Sequence, residues 1–297
     1  MLNAGGTDLL LTLKGEHLFD YPEAVINIKT ISGLDYIKEE GGVLKIGALA
    51  RLADVANAAL IQSDYRALAE AAQSVATPQI RNVATIGGNL CQDVRCWYYR
   101  YPRHIGGPIR CLRKGSGPCL AVSGDNRYHA ILGGKRCYAV CPSDTAVALA
   151  ALDAQIRVAG PKGERNIAVP DFFSPLGNAL KGDEMVTEVV VPMTTGQAKQ
   201  TFLKFVLRNP VDFAIVSVAS VITLQEGICT DARIALGAVA SAPVRAGKAE
   251  EFVKGRAIDQ TIAAEAAEQT VADAKPLSMN AYKVEIAKTL VKRVMLS

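Results

Sequence analysis

In the first third of the chain, apolar and polar positions alternate with a two-residue period over short runs. Val25 to Thr30 and Val43 to Leu49 are predicted strands, parted by turns at Ser32-Gly33 and Gly41-Gly42. From Ala50 to Ile61 and from Asp64 to Ala76 the apolar residues recur at helical spacing with acids near the starts, which predicts two helices. The pattern then fails. Between Gln92 and Lys135, Gly, Pro, Arg and aromatic residues interrupt every candidate helix. Loops longer than about 15 residues inside a compact domain are uncommon unless they serve a function, so an insertion organised by a cofactor is expected here. Regular patterning resumes with a helix over Asp144 to Ala154, a strand over Gln155 to Gly160, a turn at Pro161-Lys162-Gly163 and a buried strand over Val186 to Pro192. After a polar linker, Thr194-Thr195-Gly196-Gln197, strands are predicted at Phe202 to Arg208, Ala214 to Leu224 and Ala232 to Ala240. Two helices follow, Thr261 to Ala274 and Ala281 to Leu296. Strands first and helices last argue for an α+β unit.

Composition narrows the class. The 297 residues allow two domains at roughly 100–200 residues each. A net charge of +4, with bases scattered among acids, argues against nucleic acid as a partner. No apolar run reaches the roughly 18 residues of a membrane span, and the start has no signal-peptide pattern, so a reducing, cytoplasmic location off the membrane is expected. No acid–base pair or nucleophilic triad is visible.

The cysteines ask for an explanation. Six of the seven fall between Cys91 and Cys141. In a cytosolic chain of this length that clustering points to a metal or redox site more than to disulfides. The absence of a C-x-x-C pair weighs against a zinc ribbon, whereas an iron–sulfur cluster takes four thiolates from a folded loop with fewer limits on spacing. Arg95, Arg110, Arg113, Lys114 and Arg136 would offset a cluster's negative charge, and Trp97, Tyr98, Tyr99 and Tyr101 would pack over it. His104 and His129 are spare ligands, although a histidine in a polar loop is more often a surface or hydrogen-bonding residue.

Two glycine-rich segments stand out, Ala4 to Leu10 (AGGTDLL) and Val83 to Leu90 (VATIGGNL). Paired glycines let successive N–H groups turn inward on an anion, and Thr7, Thr85 and Asn89 add side-chain donors. Neither matches G-x-G-x-x-G or a Walker A loop. Each alone is an ordinary Gly-Gly turn; together they suggest a two-loop diphosphate clamp.

These motifs, with FLKFVLRNPVDFAIVSVA and the C-terminal SAPVRAGKAEEF and AYKVEIAKTLVKRVML, resemble the FAD-binding medium subunits of the molybdenum hydroxylase family in the family's order. The resemblance implies an α+β fold: a two-subdomain FAD-binding domain of the PCMH type over 1–193, with its Cys-rich insertion at about 92–140, then a C-terminal domain of the CO dehydrogenase flavoprotein type over 199–297, a sheet with helices on one face. It implies that Ala4, Gly5, Gly6, Thr7, Asp8 and Leu9 wrap the FAD diphosphate together with Thr85, Gly87, Gly88 and Asn89. Ser143 and Asp144 would take ribityl or ribose hydroxyls, Val186 would pack on the isoalloxazine, and Lys204 would stand near its pyrimidine edge. Asp144 has a second reading as the acid at a helix start. The insertion resembles that of medium subunits carrying an additional [4Fe–4S] cluster, as in 4-hydroxybenzoyl-CoA reductase and certain aldehyde oxidoreductases, and implies Cys96, Cys111, Cys119 and Cys137 as its ligands. Cys91 and Cys141 become packed thiols, with Cys141 the reserve ligand, and Cys229, on a turn, has no implied role.

The expected activity is electron transfer between FAD and iron–sulfur clusters within a heterotrimer. A large subunit with a molybdenum cofactor would act on the substrate, an aldehyde or an aromatic acyl-CoA. A small subunit with two [2Fe–2S] clusters would relay electrons, and an external carrier such as ferredoxin would exchange them. Family members usually carry a strand and helix ahead of the first glycine loop, which here begins at Ala4, so either the start lies upstream or the first flavin subdomain lacks an element. Two rival readings stay open, a stand-alone flavin oxidase and a Cys-rich zinc scaffold.

Overall fold

The computed structural model describes residues 1–194, 198–209 and 211–297, so Thr195, Gly196 and Gln197 of the expected linker lie outside the described residues. Two antiparallel sheets organise the chain. The first runs, in spatial order, Ile37–Glu40, Val43–Gly47, Met185–Pro192, Gln155–Gly160 and Gly163–Ala168; the second runs Lys199–Phe205, Val216–Gln225, Ile228–Gly237 and Val244–Arg245. At the start, Leu2–Asn3 pairs parallel with Ile26–Asn27, so only two residues of the expected 25–30 strand are extended in a ladder.

Val216–Gln225 follows a near-continuous apolar pattern because both its faces are covered. In Val216–Gln225, Val218 and Ile222 face one apolar core while Ala219 and Val221 face the other. The first core is closed by Tyr282–Leu296 on Val216–Gln225 and by Gly247–Val253 on Ile228–Gly237, with Gln260–Val271 packed against both helices; the second face meets Asp144–Ala151 and Arg66–Gln73. Helices of its own unit therefore cover one face of the second sheet, as expected, and helices of the first unit cover the other. Asp144–Ala151 is buried at every residue, and burying each large aliphatic side chain contributes about 1.5–3 kcal/mol.

Several boundaries differ from expectation for local reasons. The span 50–76 is three helices, Leu52–Asn57, Ala59–Asp64 and Arg66–Gln73, because Ala58 is extended (ψ 123°) and Tyr65 leaves the helical region. The helix from Asp144 stops at Ala151, since Asp153 takes φ +52° to turn into the next strand. Gly247–Val253 was not expected. Its buried Glu250 accepts hydrogen bonds from Ile234 N (2.7 Å) and Arg245 Nε (2.7 Å), so a carboxylate that resembles solvent-facing sequence is a structural anchor. Cys229, expected on a turn, is fully buried in Ile228–Gly237, because the Glu226-Gly227 turn ends just before it.

The insertion is clamped to the C-terminal unit by buried polar groups. Asn280 Nδ2 donates to the carbonyls of His129 (3.1 Å) and Ala130 (3.2 Å), and Met279 N donates to Asn126 Oδ1 (2.9 Å). Lys283 Nζ donates to the carbonyls of His129 (2.9 Å) and Ala238 (2.6 Å). Burial pushes the Lys283 ammonium down to about 7 from its ordinary 10.5. Below about 7 both folded and unfolded states hold this proton; between about 7 and 10.5 the unfolded chain binds the extra one, so this group makes stability rise with pH, by at most about 1.4 kcal/mol per pH unit. Lys283→Met should flatten that rise. Denaturant midpoints of both proteins across the window check it; an equally steep rise in the variant would contradict it.

Candidate cofactor-binding site

The two glycine loops meet. A Cβ on Gly5 would overlap the Val83 carbonyl and stand 2.9 Å from Ala84 Cα, and one on Gly87 would stand 2.9 Å from both the Cβ and the carbonyl oxygen of Ala48. Gly6 has φ +72°, which an L side chain rarely adopts. Residues about 80 apart in sequence are thus in backbone contact, and only glycine permits it. Thr85 caps Ile86–Cys91, its hydroxyl oxygen accepting from Gly88 N (3.2 Å), and at the end of that helix Cys91 is exposed as a residue while burial pushes its thiol up to about 12.

The second loop is bonded onward to the Ser143 turn. Asn89 Oδ1 accepts from Ser143 Oγ (2.6 Å) and Thr145 Oγ1 (2.7 Å), while Ser143 caps Asp144–Ala151 by accepting from Ala146 N (3.1 Å). Asp144 Oδ2 takes Lys204 Nζ at 2.7 Å, and Lys204 also donates to the Ser74 carbonyl (3.0 Å). Burial pushes the Asp144 carboxyl up, and the Lys204 ammonium opposes that.

A cavity of about 420 Å³ opens beside this turn, inside the range of roughly 300–1,000 Å³ usual for small-molecule sites. Its walls include Cys96, Trp97 and His129 of the insertion, Ser143 and Asp144 of the turn, and Phe213 ahead of Val216–Gln225. Ser143 and Asp144 are the expected flavin residues that line it; the glycine loops connect to it through Asn89. Val186 sits in the apolar core opposite Val158 and does not line it, nor does Lys204.

Behind the shared wall lies a second, small cavity. Cys96, Cys111, Cys119 and Cys137 all line it, together with Tyr98, Tyr99, Arg113 and Arg136. The thiols bear on one another electrostatically: Cys96 on Cys137 and Cys119, and Cys137 on Cys111. Burial pushes the Cys96 thiol up to about 11, against the pull of the N–H groups of Tyr99 and Tyr98. Lys114 bears on Cys111 and Cys96. Cys141 faces the larger cavity instead, where burial pushes it up to about 12. Among the described residues no three His, Cys, Asp or Glu side chains converge on a single metal ion. A cluster, itself several ångström across, needs its thiols further apart than one ion does.

Charge links the parts. Asp8 of the first loop pairs with Arg95 and with Arg100 (2.8 Å), and its Oδ2 accepts from Asp93 N (2.7 Å). Burial raises its carboxyl, but the two guanidiniums and the Asp93 amide outweigh that and hold it below the usual range. Asp93 in turn accepts from Arg113 (2.8 Å) and Tyr99 (2.5 Å). The expectation that Arg95 serves the cluster is revised: it ties the insertion to the glycine loop and stacks over Phe213 at 4.5 Å. Arg110 is exposed over Phe19, whereas Arg113 and Arg136 line the small cavity with the thiols. Asp93, Asn126, Asn280 and Lys283 were not foreseen, since nothing local in sequence marks a residue whose partner lies far along the chain.

Comparisons with known proteins agree. The FAD binding domain of molybdopterin dehydrogenases matches residues 1–194, and the CO dehydrogenase flavoprotein C-terminal domain matches residues 201–297. The aldehyde oxidoreductase FAD-binding subunit PaoB of Escherichia coli is 35% identical, over 98% of this chain and 89% of its own. The nicotinate dehydrogenase FAD-subunit of Eubacterium barkeri is 28% identical, over 85% and 71%. A crystal structure of carbon monoxide dehydrogenase from Hydrogenophaga pseudoflava aligns with TM-score 0.77 at 26% identity, covering 99% of this chain and 87% of that one. With both halves matched and the motifs in contact, the chain belongs to the family of FAD-binding medium subunits of the molybdenum hydroxylases.

Proposed function

We propose that this chain is the electron-transfer subunit of a heterotrimeric molybdenum-containing oxidoreductase, holding FAD and a [4Fe–4S] cluster in adjoining cavities. The observation that carries the reading is that Cys96 and Ala139 line both cavities, so that one thiol separates two redox sites. Bound FAD supplies exchange between two-electron and one-electron steps, and a cluster supplies one-electron transfer.

The protein's part is binding and orientation. Residues Ala4 to Leu9 and Thr85, Gly87, Gly88 and Asn89 would hold the diphosphate with backbone N–H groups at a Cβ-free junction. Ser143 and Asp144 would meet flavin hydroxyls, and Lys204 would act by holding the Asp144 carboxylate. Val186 would serve through the core that backs the site. Cys96, Cys111, Cys119 and Cys137 would ligate the cluster. The space between them is about 20 Å³, so a cluster must spread its walls. Those walls are irregular loop at all four cysteines, which yields without breaking a helix or ladder.

Residues 1–193 would carry the FAD domain and 199–297 the second domain. In this reading the partners are a molybdenum-cofactor large subunit acting on an aldehyde or aromatic acyl-CoA, a small subunit with two [2Fe–2S] clusters, and an external carrier such as ferredoxin; the likeness to an aldehyde oxidoreductase FAD-binding subunit supports the aldehyde. A reducing, cytoplasmic location belongs to this reading, and no helix of the described residues is long and apolar enough to cross a membrane. Anaerobic purification through a tag on this chain tests the assembly. The reading expects a molybdenum-containing partner to co-purify and substrate oxidation to require it; turnover by this chain alone would favour a stand-alone flavin oxidase.

A further inference from the structure

His129 is 3% exposed, yet it lines the larger cavity, and its Nε2 stands 3.3 Å from Cys96 Sγ, the thiol common to both cavities. Its placement is fixed from several sides. The His129 N–H donates to the Asn126 carbonyl (3.0 Å), and its own carbonyl accepts from Asn280 Nδ2 (3.1 Å) and Lys283 Nζ (2.9 Å). The ring packs edge-on against Trp97 at 5.7 Å and tilted beside Tyr98 at 6.1 Å. His104, the insertion's other histidine, is exposed and lines neither cavity.

A thiolate accepts hydrogen bonds and donates none, so an imidazole at this distance must present its N–H to the sulfur. We propose that His129 is a positioning residue for electron exchange between the two cofactors: its Nε2–H donates to Cys96 Sγ, fixes that ligand between the cavities and makes the cluster easier to reduce. The assignment rests on the two-cofactor reading above. The hydrogen bond withdraws electron density from the sulfur, which stabilises the more negative, reduced cluster. One electron is added and the proton stays on His129.

The test is an EPR-monitored redox titration of the anaerobic holoenzyme, wild type against His129→Leu, His129→Gln and His104→Leu. His129→Leu should keep its iron and flavin and shift the cluster's reduction equilibrium at least tenfold toward the oxidised form, about 59 mV lower for one electron. His129→Gln, which retains an N–H donor, should recover most of the shift, and His104→Leu should match wild type. An unshifted potential in His129→Leu overturns the assignment, as does iron loss from both His129 variants, which would make His129 a ligand. Should the variants fold poorly, pulsed EPR of wild-type protein carrying isotope-labelled histidine decides the matter. A weak nitrogen coupling is expected; a strong coupling of direct ligation, or none, overturns the assignment. A wild-type holoenzyme with FAD but no cluster signal refutes the two-cofactor reading itself, and the assignment with it.

Discussion

Gly5→Ala is expected to weaken FAD binding while leaving the protein folded. The added methyl has nowhere to go, because its nearest neighbours are the Val83 carbonyl and Ala84 Cα of the second glycine loop, backbone that no rotamer change can move aside. Overpacking of this kind costs about 1–3 kcal/mol, and here it is relieved by parting the two loops that would grip the diphosphate. FAD affinity should fall about tenfold to a hundredfold, which is about 1.4–2.7 kcal/mol. Gly182 provides the comparison, since a Cβ there meets nothing within 4 Å. Flavin titration of the apo forms should show Gly182→Ala binding like wild type. Full-strength binding by Gly5→Ala would remove the two-loop clamp from the account.

Cys111→Ser and Cys137→Ser are expected to lose the cluster, while Cys91→Ser, Cys141→Ser and Cys229→Ser keep it. Cys111 and Cys137 are buried in a small satellite core with Val94, Tyr99 and Ala139. The insertion has two single-turn helices, Arg103–Ile105 and Leu112–Lys114, and otherwise no helix or strand between Gln92 and Val140. A cluster joining its cysteines would add to the order of this segment, so metal binding there would also contribute folding energy. Iron should fall from about four per chain to less than one, with new proteolytic cuts within the insertion. Cys141 is the discriminating position, because it faces the larger cavity and not the space among the four. Iron loss from Cys141→Ser, or retention in Cys111→Ser, would redraw the ligand set.

What the sequence made legible follows from where each segment sits. Val216–Gln225 announces itself because core covers both faces, Met185–Pro192 because Val186, Val189 and Val191 enter the first sheet's core, and Tyr282–Leu296 because one helical stripe is apolar. The strands Ile37–Glu40 and Gly163–Ala168 were missed. Both are edge strands facing water, and an edge strand blunted by charge carries little of the alternation that identifies a strand. At the site, the glycine loops and four cysteines were legible because backbone approach and thiolate chemistry each admit few residue types. The Asp8–Arg95–Arg100 network, the Asn126–Asn280–Lys283 clamp and the His129 contact were not. Each joins ordinary polar residues far apart in sequence, and only the fold pairs them.

In the proposed reading one chain carries two redox groups on either side of Cys96. Its most direct test is the flavin, iron and sulfide content of the anaerobically purified protein, free of its partners. About one FAD, four irons and four acid-labile sulfides per chain are expected, in a brown protein with iron lost on Cys111→Ser. A flavin-free or colourless chain, or one holding zinc in place of iron, would contradict it.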